Sequence, residues 1–175
     1  MSKNTIRLTD YIRDIPDFPQ EGILFRDITP LLAHPEALVT AIDALCEPFA
    51  NQKIDYVAAI EARGFIFGSA VARKLGCGFI PIRKPGKLPH HTESVTYDLE
   101  YGSDTLEVHR DALQPGAAVL MIDDLLATGG TMAAACQLVE QLDAKIMGLT
   151  FLIELTALSG REKLGDYPIH TVISY

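Results

Sequence analysis

Apolar residues come along this chain in short bursts, and the bursts alternate with segments of helical spacing. Tyr56-Val-Ala-Ala-Ile60, Gly78-Phe-Ile-Pro-Ile82, Ala118 to Ile122 and Ile146 to Ile153 are near-continuous apolar runs, the pattern of strands buried on both faces. His170 to Ile173 predicts a last short strand. Between them, Pro35 to about Asn51 places Leu38, Ile42, Leu45 and Phe49 three or four apart, and Pro35 and Glu36 suit a helix start. Gly64 to about Leu75 predicts a second helix closed by Gly76. Gly130 to about Leu142 predicts a third, and Ala157 to Leu164 a shorter one. Strands alternating with helices imply a parallel sheet covered on both faces. Near the start, Thr9 to Arg13 predicts a short helix broken by Pro16 and Pro19, and Gly22 to Ile28 an extended segment. From Arg83 to Arg110 the spacing changes to partial alternation. Ser94 to Tyr101 and Thr105 to His109 flank Gly102-Ser103-Asp104, which predicts a hairpin inserted between the parallel elements. With no repeat or linker, the expectation is one domain over residues 1–175.

Composition narrows the partners. Hydrophobic residues are 48% and charged residues 22%, ordinary for a globular protein. A net charge of -8 disfavours non-specific binding to nucleic acid. No apolar run approaches the ~20 residues that span a bilayer, and Met1–Asp10 lacks a signal-peptide core. The expectation is a cytoplasmic protein with no membrane or nucleic-acid partner. Cys46, Cys77 and Cys136 are too widely spaced for a CxxC metal site, which predicts reduced thiols in or near the core. His90-His91 is expected on an exposed loop.

Candidate chemistry concentrates in Val119–Thr131. An apolar strand runs into Asp123 and Asp124, then into Leu-Leu-Ala-Thr-Gly-Gly-Thr. Gly129 and Gly130 let backbone approach an anion closely. A helix starting there aims its free N–H groups at that anion, and Thr128 and Thr131 add hydroxyl donors. Lacking both Lys and the GxxxxGK spacing, the run is not a triphosphate loop, and lacking GxGxxG it is not a dinucleotide loop. The paired carboxylates suit vicinal hydroxyls, so the ligand that fits is a ribose 5-phosphate. Adjacent strand residues point to opposite faces; both carboxylates serve together only where the strand is ending.

This run resembles the phosphoribosyl-pyrophosphate (PRPP) signature of the type I phosphoribosyltransferases, in the form carried by their adenine-specific branch. Further segments agree with it in the family's order. Glu61-Ala-Arg-Gly-Phe65 is similar to the pyrophosphate loop, which implies Glu61 near metal-bound substrate and Ala62, Arg63 and Gly64 lining pyrophosphate. A cis non-proline peptide is expected at the start of that loop. Arg83-Lys-Pro-Gly-Lys-Leu-Pro89 resembles the start of a mobile flap, with Arg83, Lys84 and Lys87 turned to polyphosphate. Tyr97-Asp-Leu-Glu-Tyr101 resembles the segment carrying the acid–base residue, here Glu100, with Tyr101 beside it. Gly22-Ile-Leu-Phe-Arg-Asp-Ile28 resembles the base-binding segment: Phe25 stacks on adenine, and backbone groups of Leu24 and Arg26 read its edge.

The resemblance therefore implies an α/β fold, with a parallel-sheet, Rossmann-like phosphoribosyltransferase core. A flap hairpin at about 83–110 and a small N-terminal base-binding hood complete it. It implies conversion of adenine and PRPP to AMP and pyrophosphate, a purine-salvage reaction. In this site Ala127–Thr131 hold the 5-phosphate and Asp123-Asp124 the ribose. Mg²⁺ is carried mainly by the substrate, with Asp123 and Asp124 reaching it through water, and the chain pairs as a homodimer. Two other readings stay open. One is transfer to hypoxanthine or guanine, although those enzymes lack this Leu-Glu-Tyr arrangement. The other is a PRPP-sensing regulator without catalysis, which needs a DNA-binding segment or basic face that the short stretch before Ile15 and the net charge do not lead one to expect.

Overall fold

Prolines and short apolar runs keep the first part of the chain from building long elements. The computed structural model describes residues 6–98 and 102–175, in two compact units, one ending at Ala44 and the other running from Leu45 to Tyr175. In the first unit, Leu8–Tyr11 is a 3-10 turn rather than an α-helix. Strands β1 (Arg13–Ile15) and β2 (Phe25–Asp27) pair antiparallel, with Ile15 opposite Phe25 and Arg13 opposite Asp27. Short helix α1 (Thr29–Ala33) follows, with Pro30 in its first turn and Asp27 accepting from the Thr29 N–H at 2.9 Å. Helix α2 (Pro35–Cys46) is shorter than its apolar spacing predicts and passes into a 3-10 turn at Glu47–Phe49. Its most buried positions are Ala37, Ala41 and Leu45, while Leu38 and Ile42 are half-buried. The buried stripe is therefore rotated by one residue toward the alanines, whose small side chains permit closer packing.

The second unit is built on β3 (Tyr56–Ile60), α3 (Arg63–Leu75), β4 (Gly78–Ile82), the hairpin β5 (Thr92–Asp98) and β6 (Ser103–His109), β7 (Ala118–Leu126), α4 (Gly130–Gln141), β8 (Lys145–Glu154) and β9 (Ile169–Ser174). The parallel sheet runs β4-β3-β7-β8-β9. Gly76 closes α3 in the left-handed conformation at φ 73, as its position predicts. Met121, Ile122, Leu149 and Phe151 are fully buried. Burying one such side chain contributes about 1.5–3 kcal/mol. Gly68 lets α3 settle on the sheet: a Cβ there would lie 2.7 Å from Ala59 Cβ.

The hairpin is anchored by its inward residues, since Val95, Leu106 and Val108 join the same core as α4 and the sheet. Ser103 and Asp104, expected in the turn, are instead paired in β6 opposite Asp98 and Tyr97. The Ala157–Leu164 segment is two 3-10 turns, Thr156–Leu158 and Gly160–Lys163. The three cysteines are free, with Cys46 and Cys136 buried. Burial pushes the Cys136 thiol up to about 12, which leaves it inert as a nucleophile. No described helix is long and apolar enough to cross a membrane.

Candidate active site

Three adjacent strands, β4, β3 and β7, end at the same sheet edge, and each releases one of the loops singled out by chemistry. After β3, the Glu61–Ala62 peptide is cis, as the loop's resemblance implies. Helix α3 begins at Arg63, whose Nε donates to Asp124 Oδ2 at 2.6 Å while Nη2 pairs with the same oxygen. Strand β7 does not stop at Ile122; it carries Asp123 and Asp124 and ends at Leu126. Both carboxylates nevertheless meet the first turn of α3. Asp123 Oδ1 accepts the Asp124 N–H at 2.9 Å, and a Cβ on Gly64 would lie 2.7 Å from that same oxygen. Gly64 is thus the residue that lets the helix start sit on Asp123. Burial, reinforced by the Asp124 charge, pushes the Asp123 carboxyl well above the usual carboxylate range. Asp124 is 5% exposed and is paired with Arg63.

The cationic loop after β4 closes on Glu61. Lys87 Nζ lies 2.8 Å from Glu61 Oε2, the Lys84 N–H donates to Oε1 at 2.6 Å, and Arg83 Nη2 reaches Oε2 at 3.3 Å. Arg83 is also bridged to β6 through Glu107, with backbone bonds of 2.9 and 2.7 Å. Lys84 Nζ pairs with Asp104 at 2.9 Å. Burial works against the Glu61 charge, but Lys87, the Lys84 N–H and Arg83 more than offset it, so the carboxyl stays below the usual glutamate range. A lowered folded value means this stability is complete above about pH 4.3 and is lost as pH falls through the lower folded value. Glu61→Gln is therefore expected to lower the urea midpoint at pH 7. Its difference from the parent should shrink toward pH 3; a difference that does not shrink assigns the effect to packing rather than charge.

The third loop, Ala127–Thr131, leaves β7 and enters α4. Gly129 caps that helix at φ 79, and its carbonyl accepts the Ala133 N–H at 2.9 Å. A Cβ on Gly129 would lie 2.2 Å from the Gly160 carbonyl oxygen. Left-handed backbone and this contact both exclude a side chain. Gly129→Ala is expected to cost at least about 2 kcal/mol, read by urea unfolding.

A family model described as the phosphoribosyl transferase domain matches residues 28–172. An adenine phosphoribosyltransferase of Rhodopirellula baltica is 58% identical over 168 residues, covering 96% of this chain and 82% of the relative. The chain belongs to the adenine phosphoribosyltransferases. A crystal structure of the Thermoanaerobacter pseudethanolicus adenine phosphoribosyltransferase superposes with a TM-score of 0.93 at 50% identity, covering 96% of this chain and 98% of that one. The Saccharomyces cerevisiae adenine phosphoribosyltransferase, complexed with adenine and D-2,5-dideoxy-2,5-imino-altritol 1,6-bisphosphate, gives 0.90 at 45% identity, covering 94% and 96%.

The remaining expected positions divide. Glu100 and Tyr101 lie outside the described residues. In the N-terminal unit, Leu24 is 45% exposed, and Phe25 is half-buried with its ring centroid 5.1 Å from that of Phe18 in an edge contact. Arg26 is ion-paired with Asp14. Sequence reasoning left Glu154, Gly160 and Arg161 without a role. Arg161 donates to both Glu154 oxygens at 2.7 Å, and only the turn between them brings the pair together.

Proposed function

We propose that this protein joins adenine to PRPP, giving AMP and pyrophosphate. The reading is carried by one observation: Glu61–Gly64, Arg83–Lys87 and Ala127–Thr131 leave the carboxyl ends of adjacent parallel strands, the edge where such sheets bind ligands. Ala127–Thr131 take the 5-phosphate on the free N–H groups of α4 and the threonine hydroxyls. Asp123 and Asp124 accept from the ribose hydroxyls. Ala62, Arg63 and Gly64 line the pyrophosphate, with Arg83, Lys84 and Lys87, which bind Glu61, beside it. In the first unit Phe25 stacks on adenine, and backbone groups of Leu24 and Arg26 read its edge.

The reaction breaks the bond between the ribose anomeric carbon and a pyrophosphate oxygen, and forms one from that carbon to adenine N9. The electron pair leaves with pyrophosphate. The proton of the purine passes to Glu100, directly or through the N7 side, and returns in reverse. Positive charge from Arg63 and the Arg83–Lys87 loop stabilises the leaving group. The 83–110 segment closes over PRPP to exclude water, which otherwise hydrolyses it, and the resemblance assigns Tyr101 to the same closed site as Glu100.

The donor set fits a substrate-borne Mg²⁺. Among the described residues no group of three or more His, Cys, Asp or Glu is placed to cage a metal. Asp123 and Asp124 offer hard carboxylate oxygens on consecutive residues of β7. Asp123 and Asp124 would hold the ion through water, and when bound it would supply charge neutralisation at the leaving group. The site acts within one 1–175 domain of a cytoplasmic homodimer. Mixing the protein with adenine, PRPP and Mg²⁺ should yield AMP. Yield with hypoxanthine or guanine in place of adenine would favour another purine, and PRPP binding without any AMP would favour a regulator.

A further inference from the structure

We propose that the Ser159–Arg161 turn is a positioning device for the phosphate loop, with Gly160 as the wedge and Arg161 as the pin; the inference rests on the reading of Ala127–Thr131 as the 5-phosphate site. The wedge is a contact between two backbones. A Cβ on Gly129 would stand 2.2 Å from the Gly160 oxygen, and a Cβ on Gly160 would stand 2.3 Å from the Ala127 oxygen and 2.9 Å from Leu126 Cδ1. Only glycine hydrogens fit between the segments. Gly160 is buried although its neighbours Ser159 and Arg161 are exposed.

The pin ties that turn to the strands from which the loop departs. Arg161 donates to both oxygens of Glu154, each at 2.7 Å, and to Thr171 Oγ1 at 3.1 Å. Glu154 is the last residue of β8 and stands opposite Leu126, the last residue of β7. Ala127, the first residue of the loop, is the next residue in the chain. The guanidinium therefore sets the height of Gly160 against the strand pair whose continuation is the phosphate loop. Glu154 is held below the usual glutamate range by Arg161, so the pair is charged at neutral pH.

The consequence concerns one end of the ligand. Donors that converge on a phosphate lose affinity when displaced by a fraction of an ångström. The Glu61 and Arg83–Lys87 groups are held by one another and Arg63 by Asp124, so pyrophosphate binding should be spared. Arg161 and Gly160 are positioning residues, since neither needs to touch substrate.

Isothermal titration with ribose 5-phosphate, and separately with magnesium pyrophosphate, tests the proposal. Glu154→Gln/Arg161→Met is the deciding variant, because it removes both charges and leaves no uncompensated buried carboxylate. It is expected to weaken ribose 5-phosphate binding about tenfold while pyrophosphate binding stays within about twofold. Arg161→Lys should recover part of the loss, and Gly160→Ala should exceed it. Unchanged ribose 5-phosphate affinity in the folded double variant, or an equal loss for both ligands, overturns the proposal. A parent protein that binds no ribose 5-phosphate removes this inference and the phosphate-loop reading together.

Discussion

Glu100→Gln is expected to lower kcat by about 10²- to 10⁴-fold, the usual contribution of a general acid–base, while the KM for PRPP changes by no more than about threefold. Adenine carries a proton at the nitrogen that must attack, or reaches the same state through a neighbouring ring nitrogen. Unless that proton is accepted, the new bond leaves a cationic purine, and the barrier rises. Glutamine preserves the shape and hydrogen-bonding reach of the side chain but cannot accept the proton as a carboxylate does. Because the proposed PRPP site lies on the three strand-end loops and not on Glu100, PRPP binding should be spared. The decisive measurement is steady-state kinetics with both substrates varied, together with the pH dependence of kcat. The acid limb of that profile should disappear in the variant. Equal losses in kcat and in PRPP affinity would assign Glu100 to binding, and an unchanged kcat would move the proton acceptor elsewhere.

Arg63→Ala should act twice. It leaves Asp124, with a side chain 7% exposed, without the guanidinium that pairs with it. Removing one partner of a buried pair costs about 3–5 kcal/mol; the lower end, about 3 kcal/mol, is expected here because the Arg63 side chain keeps 31% exposure. It also removes the cation proposed to serve the leaving group, so the KM for PRPP should rise and the reverse reaction from pyrophosphate should slow. Adding Asp124→Asn separates the effects. The double variant should regain most of the stability, since no buried charge is stranded, but not the handling of PRPP. Recovery of both would make Arg63 a structural counter-ion and nothing more. Failure of both to separate in the cycle would mean that the pair and the substrate site are one unit.

How far the site could be read in advance differs from loop to loop. The Val119–Ile122 run announces a buried strand because nothing polar interrupts it. The true end of β7 at Leu126 was not readable, since two aspartates normally argue against a buried strand. It is pairing with β8 out to Glu154, and neutralisation of Asp124 by Arg63, that carry the strand past them. Arg83, Lys84 and Lys87 could be grouped from their spacing alone. That Lys84 would divide its bonds, with its N–H on Glu61 and its ammonium on Asp104, could not. Helix α2 shows the same limit: a 3.6-residue period establishes a helix, but a shift of one position decides between Leu38 and Ala37 as the centre of the buried face.

The chemical vocabulary of each loop is thus a local property. Glycines permit close approach, threonines and helix starts donate to anions, and runs of β-branched and aliphatic residues make strands; each follows from a few consecutive residues. Pairing is not local. Glu61 meeting Lys87, Arg63 meeting Asp124, and Gly160 pressing against Gly129 join segments that are distant along the chain. A charge or a glycine carries no period that names its partner, and any opposite charge or any close backbone would serve. Only the order of the strands in the folded sheet chooses among them.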